Sequence, residues 1–245
     1  MIYQNMDINF KLSYIEINLT ELCDRTCSFC PRSSGYPNLN LNLSVTDAII
    51  IKNKLTEFNF EGWISLCGQG EPTLNKNFNE ILNIIAENKK FKLRLTTNGY
   101  KFEKHDIDIL NKLDRLVVSV YEQENYEFFD KQIKKLSIPK IELRKQYKNE
   151  EKFNNCGGFF NIESVNRPCN LPSERMYIDW NLDVRLCCHD WNEKKVMGSL
   201  QNNSIFDIWN NNMFNEYRNH LSKGHRYKLD PCSKCNAYGL GDLYA

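Results

Sequence analysis

Tyr14-Ile15-Glu16-Ile17-Asn18-Leu19 leads, across Thr20-Glu21-Leu22, into Cys23-Asp24-Arg25-Thr26-Cys27-Ser28-Phe29-Cys30. The first stretch alternates in the manner of a strand. The second places three thiols on one short loop at that strand's end. Downstream, Pro31–Leu43 is rich in Ser, Asn, Gly and Pro and reads as a loop. Ser44 with Asp47 marks a helix start, and Ala48, Ile51, Leu55 and Phe58 follow at helical spacing. Trp63–Leu66 is a second strand, ending in Cys67-Gly68-Gln69-Gly70-Glu71-Pro72. Phe78, Ile81, Leu82 and Ile85 share one helical face. Lys92–Thr97, Arg115–Tyr121 and Lys140–Gln146 are further strands, separated by helical Asp106–Leu113 and Tyr126–Leu136. Strands separated by helices of this length predict parallel βαβ units in the α/β class.

The pattern stops near residue 150. Asn154–Phe160 holds Gly157-Gly158 and reads as a turn, and Met176–Trp180 with Val184–Cys187 reads as a hairpin. Ser204 and Asp207 start one helix carrying Ile205, Ile208, Trp209, Phe214, Tyr217 and Leu221, stopped by Gly224. The expected division is 1–160 and 161–245.

The chain has 245 residues, 32 Lys+Arg, 31 Asp+Glu and a net charge of +1, which leaves no electrostatic footprint for nucleic acid. Ala48–Ile51 is the longest apolar run, too short to span a bilayer. Met1–Lys11 carries Asp7 and no apolar segment, so it does not read as an export signal. The expected compartment is the cytoplasm. Thiols stay reduced there, and ten clustered cysteines point to metal or redox chemistry.

The C-x3-C-x2-C loop can ligate three irons of a 4Fe–4S cluster and leave the fourth open to a small molecule. Ligands of parallel α/β sheets bind outside the carboxyl ends of the strands, where this loop, Gly68–Pro72 and Asn98-Gly99 all fall. Gly68 and Gly70 let a ligand approach the backbone, and Glu71 can accept from an ammonium group. A zinc knot is the competing reading of the same thiols.

With Phe29 before the last Cys, Gly-Gln-Gly-Glu-Pro after strand two and Thr-Asn-Gly after strand three, the chain resembles the radical S-adenosylmethionine (SAM) superfamily over nearly its whole length. The resemblance implies a shortened radical SAM core, a partial (β/α) TIM-like barrel. It implies a cluster on Cys23, Cys27 and Cys30 whose open iron is chelated by SAM, and a 5′-deoxyadenosyl radical that abstracts hydrogen. It places Phe29 near the adenine and Gly68, Gln69, Gly70 and Glu71 near the methionine amine. Asn98 also falls on the cofactor side, with Ser119 at the ribose and Arg144 at the carboxylate.

Cys169, Cys187, Cys232 and Cys235 can close a second 4Fe–4S cluster, whose ligation would add to folding free energy. Their order resembles the twitch module, a shortened relative of SPASM. SPASM needs a further C-x2-C-x5-C-x3-C run, which this chain lacks, so one auxiliary cluster is expected. Cys188 adjoins Cys187; the Leu-Asp-Val-Arg-Leu-Cys match selects Cys187. Where the family has a hairpin Gly this chain has Leu182, and Asn181 is expected to take the left-handed conformation instead. Four thiolates also fit a structural zinc site.

A fully ligated cluster can accept an electron, which suits dehydrogenation. Met-Gly-Ser-Leu, Ile-Trp-Asn and Gly-His-Arg (197–200, 208–210, 224–226) resemble family members that dehydrogenate a cyclitol. Those have Asn-Arg-Gly-Gly, with the Arg on substrate, where this chain has Asn155-Cys156-Gly157-Gly158. The leading reading is therefore oxidation of a small polar metabolite, a sugar or cyclitol. Cys156 could instead return a hydrogen atom, giving an epimerase, or simply pack as a small apolar residue. His189 and Asp190 are candidate bases, or a solvated hairpin end. A peptide-modifying maturase is less expected, because only thirteen residues precede the first strand. A zinc-binding structural module is the non-enzymatic alternative. The resemblance implies a flavodoxin or ferredoxin as electron donor.

Overall fold

The computed structural model describes residues 10–146, 154–192, 195–237 and 239. The stretch read as lacking an export signal lies outside them up to residue 9. The first half alternates β1 (Tyr14–Ile17), α1 (Val45–Glu57), β2 (Gly62–Leu66), α2 (Phe78–Ile85), β3 (Phe91–Thr97), α3 (Ile107–Leu110), β4 (Arg115–Val120), α4 (Tyr126–Ile133) and β5 (Lys140–Lys145). The second holds α5 (Leu171–Glu174), β6 (Arg175–Ile178), β7 (Asp183–Arg185), β8 (Val196–Ser199), α6 (Ile205–Trp209) and α7 (Asn212–Ser222). All strands join one open sheet in the order β5-β4-β3-β2-β1-β6-β7-β8. The pairs from β5 to β6 are parallel, while β7 and β8 run antiparallel to their neighbours. β6 pairs directly with β1, so the sheet is continuous between the two halves of the chain.

The two faces of this sheet differ. Ile15, Ile17, Ile64, Leu66, Leu93 and Leu95 share one apolar cluster with Ile51 and Leu55 of α1 and Ile81 and Leu82 of α2. The alternate positions are polar and stand in register: Glu16 with Ser65, Ser65 with Arg94, Arg94 with Arg115, and Glu16 with Tyr177. Ion pairs compensate the buried charges there: Arg175–Glu16 at 3.3 Å, Arg115–Glu142 at 3.0 Å, and Arg185–Asp179. A parallel sheet covered on both faces would read as continuous apolar runs; the alternation of β1 reflects this polar inner face.

Capping follows the sequence at both expected starts. Ser44 with Asp47 and Ser204 with Asp207 each form a reciprocal capping box. Elsewhere the structure corrects local expectations. The single helix expected from Ser204 to Leu221 is two, because Asn211 takes an extended backbone and caps α7 by accepting from Phe214 N at 2.8 Å. Its Nδ2 also donates to Met197 O at 2.7 Å, so tertiary pairing with β8 fixes the break. The left-handed residue of the β6–β7 hairpin is Leu182 (φ 69°), not Asn181. Leu182 is 1% exposed, and its carbonyl accepts from Leu200 N. Burial of the side chain, worth roughly 1.5–3 kcal/mol, outweighs a left-handed penalty of about 1–2 kcal/mol.

Candidate active site

The carboxyl ends of β1 to β4 open onto a cavity of about 260 Å³. Cys23, Cys27 and Cys30 line it, with Phe29, Gly68–Glu71, Asn98 and Ser119. The structure thus brings together the predicted cofactor-side residues, Arg144 excepted. Arg144 is not among the lining residues; it lies opposite Ser119 in the β4–β5 register, with Nε 3.3 Å from Glu142.

The thiol loop is held by side chains. Asn38 brackets Cys23, accepting from its N and donating to its O, both at 2.9 Å. Buried Arg32 donates to the carbonyls of Glu21 and Gln69, the latter at 2.9 Å. Asn98 Nδ2 donates to Asp24 at 2.7 Å, tying the loop to the end of β3. Glu71 ties β2 to β3: Oε1 accepts from Thr73 and Thr97 hydroxyls at 2.6 Å, and Oε2 from Asn98 N at 2.8 Å. Burial pushes the Glu71 carboxyl up, and these donors oppose it. Gly68 and Gly70 do line the cavity, but packing explains why they are glycine. A β-carbon at 68 would run into the Asn18 side chain, and one at 70 into the Thr20 and Leu22 carbonyls. The Gln69 side chain accepts from Tyr36 OH at 3.1 Å and donates to Asp190 O at 3.4 Å.

Burial pushes the Cys23 thiol up to about 11 and raises Cys30 as well. At neutral pH these thiols keep their protons until a metal displaces them. Among the described residues, no three His, Cys, Asp or Glu side chains are placed to hold a single ion. The three thiols instead border one open volume, which suits a polynuclear cluster with a ligand beside it.

Several lining residues were not singled out from sequence: Arg25, Tyr121, Asn154 and Trp191. Tyr121 stacks on Phe29 (centroids 6.1 Å, 21° between planes); strand periodicity from Ser119 pointed to it. Arg25 and Trp191 carried no such signal. Cys156 also lines the cavity, 8% exposed and with φ 50°. Its turn is fastened to the far cysteine segment: Asn155 donates to Lys234 O and accepts from Asn236 N at 3.1 Å. His189 and Asp190 do not line the cavity. The Asp190 carboxylate accepts from Lys195 N, and burial lowers the His189 imidazole to about 4, aided by Arg175 and Arg226. Cys67 lines the cavity wall beside the Ser65 hydroxyl, at 3.3 Å, rather than packing wholly in the core.

In the second group, burial raises the Cys187 thiol, and Cys235, Cys232 and Cys169 raise it further. Burial raises the Cys188 thiol as well, and there the neighbouring charges are Glu16, Cys187 and Cys67 rather than Cys169, Cys232 and Cys235. Arg226, 2% exposed, rivets the surrounding loop segments by donating to Arg167 O at 2.8 Å, Ala237 O at 2.9 Å and Pro168 O at 3.2 Å. Its charge stabilises the thiolate forms of Cys169, Cys232 and Cys235.

The fold and the cavity are those of a radical SAM enzyme. The radical SAM superfamily profile matches residues 17–142, and SPASM, an iron–sulfur cluster-binding domain, matches 169–236. The chain belongs to the radical SAM superfamily, and its cofactors are SAM and 4Fe–4S clusters. It is 26% identical over 231 residues to the S-adenosyl-L-methionine-dependent 2-deoxy-scyllo-inosamine dehydrogenase of Niallia circulans, covering 91% of this chain and 92% of that one. The crystal structure of BtrN in complex with AdoMet and 2-DOIA superposes with a TM-score of 0.78 at 26% identity, covering 93% and 94% of the two chains. The structure of anSMEcpe with bound AdoMet (TM-score 0.62, 14% identity, covering 91% and 85%) shares the fold. Among the described residues no helix is long and apolar enough to cross a membrane.

Proposed function

We propose that the enzyme dehydrogenates an alcohol carbon of a small polar ring compound, a cyclitol or sugar. The observation that carries this is the end-to-end correspondence with a dehydrogenase, over 91% of this chain and 92% of that protein. In this reading residues 1–160 perform the hydrogen abstraction and 161–245 receive the electron. Cys23, Cys27 and Cys30 hold one cluster; Cys169, Cys187, Cys232 and Cys235 hold the auxiliary one. The orientation of Cys187 towards the other three supports its choice over Cys188. When bound, the cofactors supply a 5′-deoxyadenosyl radical for hydrogen abstraction and an acceptor for the remaining electron.

The chain's own residues build the site around that chemistry. Phe29, backed by Tyr121, gives the adenine an aromatic face. Glu71 Oε2, which accepts one bond from Asn98 N, retains a lone pair for the methionine ammonium. The Gly68–Gly70 backbone lies beside it, and Ser119 serves the ribose; Arg144, outside the lining and paired with Glu142, has no role in this reading. Trp191, Asn154 and Cys156 close the wall that substrate meets and exclude water. The reducing electron comes from a flavodoxin or ferredoxin, and the cytoplasm, which keeps ten thiols reduced, is the site of action.

Cys156 on the cavity wall supports a second reading, epimerisation, in which its thiol returns a hydrogen atom to the substrate. One experiment separates the two. Anaerobically reconstituted protein is given SAM, a reductant and a cyclitol panel in deuterated water. Dehydrogenation yields a carbonyl product and 5′-deoxyadenosine in equal amounts. An epimer carrying solvent deuterium, without carbonyl, would replace the first reading by the second.

A further inference from the structure

The three thiols of the first loop have unequal surroundings. Cys23 and Cys30 receive backbone contacts, from Arg25 and Arg32 respectively. Cys27 instead lies beside two side chains that line the same cavity, the Arg25 guanidinium and the Tyr121 hydroxyl. Arg25 is fixed in place. Its Cζ lies 4.3 Å from the Tyr121 ring centroid, Nη1 donates to Tyr100 OH at 3.1 Å, and Nη2 pairs with Glu122 Oε1 at 2.7 Å. Glu122 is itself held by the Tyr100 hydroxyl and by Asn125. A donor network of this kind at one sulfur, with a charge and a counter-charge behind it, goes beyond what positioning the loop requires.

We propose that Arg25, balanced by Glu122, sets the reduction potential of the cluster on the Cys23–Cys30 loop through the Cys27 sulfur. The inference rests on Cys27 being a ligand. Reduction adds one negative charge to a cluster. A cation and hydrogen-bond donors at a ligating sulfur stabilise that added charge and raise the potential. A carboxylate behind the cation lowers it again. Arg25 and Glu122 side chains are 22% and 33% exposed, so solvent damps both effects without abolishing them.

The two residues therefore act with opposite sign, which a purely structural role would not produce. The test is an EPR-monitored redox titration of the full chain carrying both clusters. The signal that changes on adding SAM identifies the first cluster, and the auxiliary cluster serves as internal reference. Arg25→Gln is expected to lower the reduced-to-oxidised ratio of the first cluster about tenfold at fixed potential, ~59 mV for one electron. Tyr121→Phe moves it the same way by less, Glu122→Gln moves it the opposite way, and Arg25→Lys keeps most of the wild-type value. Should Arg25→Gln fail to assemble, Glu122→Gln and Tyr121→Phe still decide the sign. Unchanged ratios, shifts of one sign in the Arg25 and Glu122 variants, or an equal shift of the auxiliary cluster would overturn the proposal. A wild-type protein lacking any SAM-responsive signal would remove the ligand reading itself, and the inference with it.

Discussion

The two cysteine groups are built by different means. Cys23, Cys27 and Cys30 sit on one loop at the end of β1, close in sequence and fastened by Asn38, Arg32 and Asn98. Cys169, Cys187 and the Cys232–Cys235 pair come from three separate segments; Arg226 lies beside Cys169, Cys232 and Cys235 and donates to four backbone carbonyls around them. The first group is local and leans on a large sheet; the second depends on tertiary contacts in a region of short elements. Ligation should matter more to folding where the core is smaller. The segments around the second group also reach the cavity. The Cys156 turn is clamped to Lys234 and Asn236 beside Cys235, and Trp191 follows Cys187 by four residues. The second half of the chain thus supplies part of the cavity wall.

Arg226→Ala breaks this comparison most severely. It strips the donors from the backbone carbonyls of Arg167, Pro168, Cys235 and Ala237, and each unmet bond at the buried ones, Cys235 and Ala237, costs about 1–3 kcal/mol. The expected result is loss of about half the iron, with SAM cleavage retained and substrate oxidation lost. Iron analysis beside a 5′-deoxyadenosine assay checks it; equal loss at both sites would show that the two groups fold as one. Leu182→Gly sharpens the same comparison at smaller scale. Relief of the left-handed backbone returns about 1–2 kcal/mol, while loss of a buried Leu costs about 2–5 kcal/mol. A net destabilisation of roughly 1–3 kcal/mol in urea unfolding is expected. A stabilised variant would mean that strain, rather than burial, dominates this hairpin.

Much of the first half was legible because its signals are local. The capping box at Ser44, the alternation of β1 and the Cys spacing each lie within a few residues. The site was legible where a strand end carries a short motif, as at Gly68–Glu71 and Asn98. It was not legible where a side chain acts across the fold. Arg25 sits inside the cysteine motif, yet its partners Tyr100, Tyr121 and Glu122 come from the ends of β3 and β4. Leu182 defied local propensity because burial decided its backbone, whereas the break at Asn211 is an ordinary Asn N-cap that the continuing helical spacing of apolar residues concealed. At the hairpin end near the cavity the lining takes Trp191 rather than His189 or Asp190, a choice set by side-chain direction that spacing does not reveal. Gly68 and Gly70 line the cavity, and contacts with Asn18, Thr20 and Leu22, which no local pattern reveals, already require them to lack a β-carbon.

SAM cleavage in cysteine variants tests the division of labour most directly. Reconstituted Cys187→Ser with a strong reductant should still convert SAM to 5′-deoxyadenosine and methionine, whereas Cys23→Ser should leave SAM intact. Cleavage that persists without Cys23, or that requires Cys187 as strictly as Cys23, would contradict the account.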